Sequence, residues 1–281
     1  MSRRTTIVLG AAVAVLAAGL ATGAWSRFSP EPSSRIVSRA GPTTVAPPRV
    51  AAGPSTTAGP VLGPTRPEEP GRTLRLGYAH PPPNPAQVAD AIVPKVGLYS
   101  APGDPEPAEF ANNPTWEGLP GVYLVMQSSG DWLEVQVSMR PNESTAWIKA
   151  SEVTVRQTPY RIFIDTGALR LVAYDGAKPV LDTKVAVGTG DSPTPTGNYF
   201  VDGRVSGLDP GGPYGTHQVS VAAFSNVYST FGGGVGQIAI HGTNDPAKLG
   251  TPASHGCVRM LNDDIAKLAD MVPDGTPVQI V

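Results

Sequence analysis

Cysteine is nearly absent from this 281-residue chain: Cys257 is the only one, so no internal disulfide can form. Charge is also sparse. Charged residues make up 16% and the formal net charge is −2, which excludes a nucleic-acid partner gripped through a basic face. Long apolar runs are missing except for one near the start, where Thr5 to Ser26 carries no charge. As a helix at 1.5 Å per residue that run reaches about 33 Å, enough for the hydrocarbon core of a bilayer. Arg3 and Arg4 precede it and should stay cytoplasmic, so everything beyond residue 27 is expected outside. Thr22-Gly23-Ala24 offers a small-residue cleavage site, so residues 1–27 read as a signal or anchor segment. The expected location is extracytoplasmic, either membrane-anchored or secreted.

Outside the cell an unpaired thiol is either a small buried hydrophobe or a reactive group. Its neighbours decide between the two. Residues 28–71 are rich in proline with Ser, Thr, Gly and Ala, a composition that cannot bury a core and is expected to act as an extended linker. At about 3.1 Å per residue it could span on the order of 130 Å.

From residue 72 the pattern changes to short strands. "GVYLVMQ" (121–127) and "WLEVQVSM" (132–139) flank a turn and read as a hairpin. In the second strand Leu133, Val135, Val137 and Met139 alternate with polar residues, the period of a half-buried strand. "TAWIKA" and "SEVTV" follow, so residues 72–157 are expected to form a small barrel. Residues 158–281 also read as mainly β, with turns at Asp165–Ala168 and Asp175-Gly176. One helix is expected from Asn262 as N-cap, with Asp263 and Asp264 in its first turn and Ile265, Leu268 and Val272 on one face, ending at Asp274-Gly275. "TPVQIV" closes the chain as a strand.

A cysteine attacks as thiolate, so it needs a group that takes its proton. The chain has four histidines, and two of them, His241 and His255, lie near Cys257 in sequence. His241 ends the strand "IAIHG", and the Cys257 loop leads into the helix, an arrangement that can bring base and nucleophile together. Gly242 and Gly256 permit tight turns that aim backbone N–H groups at a reacting carbon. One cysteine and two histidines also fit three ligands of a zinc site, but no carboxylate to complete the set is evident. In papain-type wall endopeptidases the cysteine precedes the histidine, the reverse of the order here.

"IAIHGTNDPAKLGTPASHGCVRMLNDD" (238–264) resembles the signature of the L,D-transpeptidase catalytic domain, an H-G followed by S-H-G-C-hydrophobic-R. "SPTPTGNYFV" (192–201), "GPYGTHQVSV" (212–221) and "DGTPVQIV" resemble further stretches of that family in the same order. "DWLEVQV…TAWIKASEV" is similar to bacterial Src-homology-3-like domains, with Ala146 where those often carry glycine. The resemblance implies a mainly β chain: a Src-homology-3-like barrel, acting as wall binder or spacer, then an L,D-transpeptidase β-sandwich-like catalytic domain with one C-terminal helix. It implies Cys257 as nucleophile, His241 as proton donor and acceptor, and the Gly242 carbonyl orienting that imidazole. His255 and Gly256 would shape an oxyanion pocket with the Cys257 N–H. Arg259 and Ser254 would contact substrate, and Thr194, Pro195 and Gly197 would form a turn shaping the cleft. The partners implied are peptidoglycan peptide stems, with carbapenems as inhibitors and no metal or cofactor. An L,D-carboxypeptidase acting on the same stems and a non-catalytic wall-binding protein are the alternatives.

Overall fold

The structure, a computed structural model, describes residues 85–281. The expected membrane segment, the expected linker and the start of the expected 72–157 domain lie outside the described residues. Among the described residues no helix is long and apolar enough to cross a membrane.

The first half contains β1 (Ala86–Ala91), β2 (Lys95–Leu98), β3 (Glu109–Asn112), β4 (Val122–Ser129), β5 (Trp132–Gln136), β6 (Thr145–Lys149) and β7 (Val153–Thr158). Five of these pair antiparallel in the order β6-β5-β4-β1-β7, while β2 and β3 form a separate hairpin. The alternation in β5 does what its sequence demands: Leu133 and Val135 are buried with Val96, Tyr123 and Ile148. The turn between β4 and β5 passes through Gly130 at φ +57°, a conformation costly for a residue with Cβ.

The second half contains β8 (Tyr160–Asp165), β9 (Arg170–Asp175), β10 (Lys178–Lys184), β11 (Val187–Gly188), β12 (Gly197–Ser206), β13 (His217–Phe224), β14 (Gln237–His241), β15 (Pro252–Ser254), β16 (Val258–Arg259), α1 (Asn262–Met271) and β17 (Pro277–Ile280). Eight of the strands form one sheet in the order β10-β9-β8-β17-β12-β13-β14-β16. Two pairs in it are parallel, β17 with β8 and β14 with β16. Burial on both faces explains why β8 and β9 read as near-continuous apolar runs. Ile162, Ile164, Leu171 and Ala173 enter the main core, while Phe163, Val172 and Tyr174 cluster on the opposite side. Helix α1 lays Ile265, Leu268 and Ala269 on that core. Each buried Ile or Leu contributes roughly 1.5–3 kcal/mol.

The expected helix cap is corrected. The helix begins at Asn262 after Leu261, and no side chain caps it. Asn262 Oδ1 instead accepts from Thr243 N–H at 3.0 Å, because two glycines, Gly215 and Gly242, bring the neighbouring backbone against it. The helix also ends at Met271, with Val272 buried as its C-cap.

The two halves lie within one compact unit and meet through polar contacts. Gln136 Nε2 donates to Asn198 O at 2.6 Å, and Asn198 N–H donates to Glu143 Oε1 at 2.8 Å. Ser138 Oγ and Gln237 Nε2 both donate to Asp202 Oδ2, while Oδ1 of that buried carboxyl has no partner. Burial pushes the Asp202 carboxyl up to about 7, with the Glu117 charge adding to the rise.

Candidate active site

Three short strands converge, two at one end of the large sheet and one from the separate β11–β15 pair. β14 ends at His241, β16 pairs with it in parallel so that Arg259 lies opposite His241, and β15 delivers the chain into the Cys257 loop. β11 pairs with β15 in parallel, tying residues 187–188 to the approach of that loop. Strands of two and three residues hold because the loop's own groups complete their bonding.

His241 is 3% exposed. Its Nδ1 lies 2.6 Å from Gly242 O. A carbonyl only accepts, so Nδ1 carries the proton and Nε2 keeps its lone pair. The Tyr214 ring packs on the imidazole at 4.9 Å between centroids. Burial, with the Arg259 charge assisting, pushes the His241 imidazolium down to about 4, against the hydrogen bond to Gly242, which acts the other way. The ring is therefore neutral at pH 7. Gly242 is fixed by crowding: a Cβ there would lie 2.2 Å from Asn262 Oδ1.

Cys257 is partly exposed. Burial of its sulfur pushes the thiol above its usual range, opposed by a hydrogen bond with the Ala239 backbone and by Arg259. Thiol and imidazole are thus both held in their uncharged forms.

The loop around Cys257 is bonded to itself and to the 192–194 turn. Ser254 Oγ donates to Cys257 O at 2.5 Å and accepts from Gly256 N–H at 3.1 Å. Ser192 Oγ donates to His255 O at 2.6 Å, and Thr194 Oγ1 donates to Gly256 O at 2.8 Å while accepting from Gly188 N–H at 2.9 Å. Gly256 sits at φ +127°, where a Cβ would also press on Ile238.

The expected site residues therefore separate by position. Cys257, His241, His255, Ser254 and Arg259 all line one cleft of about 270 Å³. Ser254 lines the cleft with its only proton already donated inside the loop. The Gly256 N–H is likewise engaged by Ser254. Among the described residues the Cys257 N–H has no such partner. His255 is exposed, and its ring faces Tyr228 at 6.0 Å and Phe231 at 5.1 Å. Arg259 Nε is buried without a partner. Among the described residues no group of three His, Cys, Asp or Glu side chains is placed to hold a metal ion.

Sequence reading missed Tyr214 and Phe231, and gave Asn262 only as a helix cap. Tyr214 stands in the stretch quoted for its family likeness, but nothing in its spacing marks a ring tilted against His241. A second cleft of about 330 Å³ adjoins the first and shares Cys257, Phe231 and Gln237 with it, and its far wall includes Trp116 and Glu117 from the first half.

The model of the YkuD L,D-transpeptidase catalytic domain matches residues 159–280. Over 122 residues the chain is 35% identical to the putative L,D-transpeptidase YkuD of Bacillus subtilis, a match covering 43% of this chain and 66% of that protein, just under two thirds of its length. A stretch of 43 residues is 56% identical to the probable L,D-transpeptidase ErfK/SrfK of Escherichia coli, covering 15% and 14% of the two chains. Among solved structures, an L,D-transpeptidase from Mycobacterium smegmatis matches with a TM-score of 0.39 at 15% identity, over 70% of this chain and 100% of that one.

Proposed function

We propose that this chain, whose residues 159–280 match the L,D-transpeptidase catalytic-domain model, is a peptidoglycan L,D-transpeptidase that works through a Cys257 thioester. The observation that carries the reading is the fixed tautomer of His241. With Nδ1–H held by Gly242 O at 2.6 Å, Nε2 is the free base of a cleft that also holds the Cys257 thiol.

Nε2 takes the thiol proton as sulfur attacks the carbonyl of the third-position diamino acid in a peptide stem. Both groups start neutral, so proton transfer accompanies attack rather than preceding it as a stored ion pair. The Cys257 N–H faces the developing oxyanion, a type of contact worth about 10²–10³ in rate. Collapse breaks the bond to D-alanine, whose amine leaves with the proton from Nε2. The amine of a second stem then attacks the thioester, gives its proton to Nε2, and leaves a cross-link between two third-position residues with the thiol restored. The thioester conserves the energy of the broken peptide bond, so the reaction needs no other energy source. Gly242 positions the base as a carboxylate does in a serine triad. Arg259, with an unpaired buried Nε beside the cleft, is suited to a stem carboxylate. Two clefts meeting at one thiol suit a reaction that seats two peptide chains, which favours cross-linking over trimming by water. A strained β-lactam of the carbapenem type should acylate the same sulfur. Residues 1–27 would carry the enzyme outside the membrane.

The test is mass spectrometry of products formed by the purified full chain from a disaccharide–tetrapeptide, beside a Cys257→Ala control. A cross-linked dimer lacking one terminal D-alanine, absent from the control, is the expected result. Trimmed monomer alone would make the protein an L,D-carboxypeptidase. Untouched substrate, with Cys257 inert to a carbapenem, would leave a wall-binding protein.

A further inference from the structure

The loop of residues 225–236 joins β13 to β14 and carries the two rings, Tyr228 and Phe231, that face His255 beside Cys257. Its sequence gives it little stiffness of its own. "FGGGVG" closes through a tight reciprocal pair between Phe231 and Gly234, with N···O distances of 3.0 and 2.9 Å, and the base closes through Ser225 N–H to Gly236 O at 2.8 Å. Gly236 stands at φ +70°, and a Cβ there would lie 2.2 Å from Tyr228 O. What ties these points together comes from the first half of the chain. Arg140, in the β5–β6 connection, donates from Nη1 to Ser225 O at 2.8 Å and from Nη2 to Tyr228 O at 2.9 Å and Val235 O at 3.2 Å. Its guanidinium also lies 5.1 Å from the centroid of the Phe224 ring. Two residues on, Asn142 brackets Phe224, donating to its carbonyl at 2.9 Å and accepting from its N–H at 2.8 Å.

We infer that Arg140 is a positioning residue, supported by Asn142, and that through it the first β half holds the 225–236 loop against the substrate cleft. The fixed fork of a guanidinium suits this task, since it can satisfy three carbonyls from both arms of a loop at once. The first half is then a working part of the active site and more than a spacer. Its effect on turnover rests on the reading of the site given under Proposed function; its effect on the loop does not.

Arg140 is exposed, so the fold survives its loss and the loop is what changes. In full-length Arg140→Ala the competent loop position is populated less. The apparent KM for the tetrapeptide stem should rise about tenfold with kcat nearly unchanged, because substrate binding then has to select that position. Arg140→Lys, reaching fewer carbonyls, should recover part of the loss. Alkylation of Cys257 by iodoacetamide, which needs no loop contact, should keep its rate. Hydrogen exchange should accelerate at the amides of 226–236 and stay unchanged in β5 and β6. Should Arg140→Ala not fold, Arg140→Lys and Asn142→Ala carry the same test with smaller shifts. Unchanged exchange in the loop, or a fall in kcat at constant KM, overturns the proposal. If the unmodified chain turns out not to process stems, the exchange measurement still decides between a clamped and an unclamped loop.

Discussion

Replacing His241 by glutamine should change how stability depends on pH, and the structure sets both the sign and the size. In the folded chain the imidazolium of His241 is held down to about 4 by burial and by Arg259, whereas in the unfolded chain it titrates near 6.5. Between these values the unfolded chain binds a proton that the folded chain refuses. Stability is therefore full above about pH 6.5 and declines as the pH falls toward 4. Because the ring is almost entirely buried, solvent screening takes little away. Taking the two pKa values at face value, the loss between pH 7 and pH 4.5 is about 2.5 kcal/mol. The assay is urea unfolding of the full chain and of His241→Gln at both pH values. The double difference isolates the imidazole, since other groups titrate alike in the two proteins. Asp202, raised to about 7, has the opposite sign and cancels in the comparison. An identical pH dependence in both proteins would refute the claim that His241 is buried and neutral. So would an acid limb of kcat/KM near 6.5 in place of one near 4.

Asp202→Asn should raise the unfolding midpoint at pH 8, by at most about 4 kcal/mol in free energy, since it removes a buried charge whose Oδ1 is unpartnered while keeping an acceptor for Ser138 and Gln237. The gain should shrink as the pH falls and vanish below about pH 3, where the carboxyl is protonated in both states, and thermal melts at pH 8 and pH 3 check it. Thr194→Val keeps the shape but leaves Gly188 N–H and Gly256 O without their partner. It should cost about 1–3 kcal/mol of stability and slow Cys257 acylation, followed together by melting and by intact mass after carbapenem addition.

The legible part of the site was the part carried by residue type. A lone cysteine and two nearby histidines marked the chemistry, and all three line one cleft. Strand alternation was readable in β5, where Leu133 and Val135 are buried and Trp132 and Glu134 between them are only partly so. It was less readable in β12, whose first residue, Gly197, belongs to the turn that the family likeness implies at Thr194, Pro195 and Gly197. The strands β11, β15 and β16, of two or three residues, have no period to detect; they exist because side chains such as Thr194 and Ser254 complete the loop's bonding. Asn262 misled for a related reason. An Asn before an acidic turn is a good cap, yet here two glycines bring Thr243 N–H within reach, and a tertiary contact replaced the local one. Arg140 left no trace at all, because its partners are backbone carbonyls 85 to 95 residues away.

The central claim is that the acyl group rides on Cys257. The most direct measurement is to incubate the full chain with the tetrapeptide stem, quench in acid, digest and sequence the modified peptide by mass spectrometry. A tripeptidyl adduct on the fragment containing "SHGCVR", removed by hydroxylamine, is the predicted result. Cross-linked product formed while that fragment stays unmodified at every quench time, and formed equally by Cys257→Ala, would contradict it.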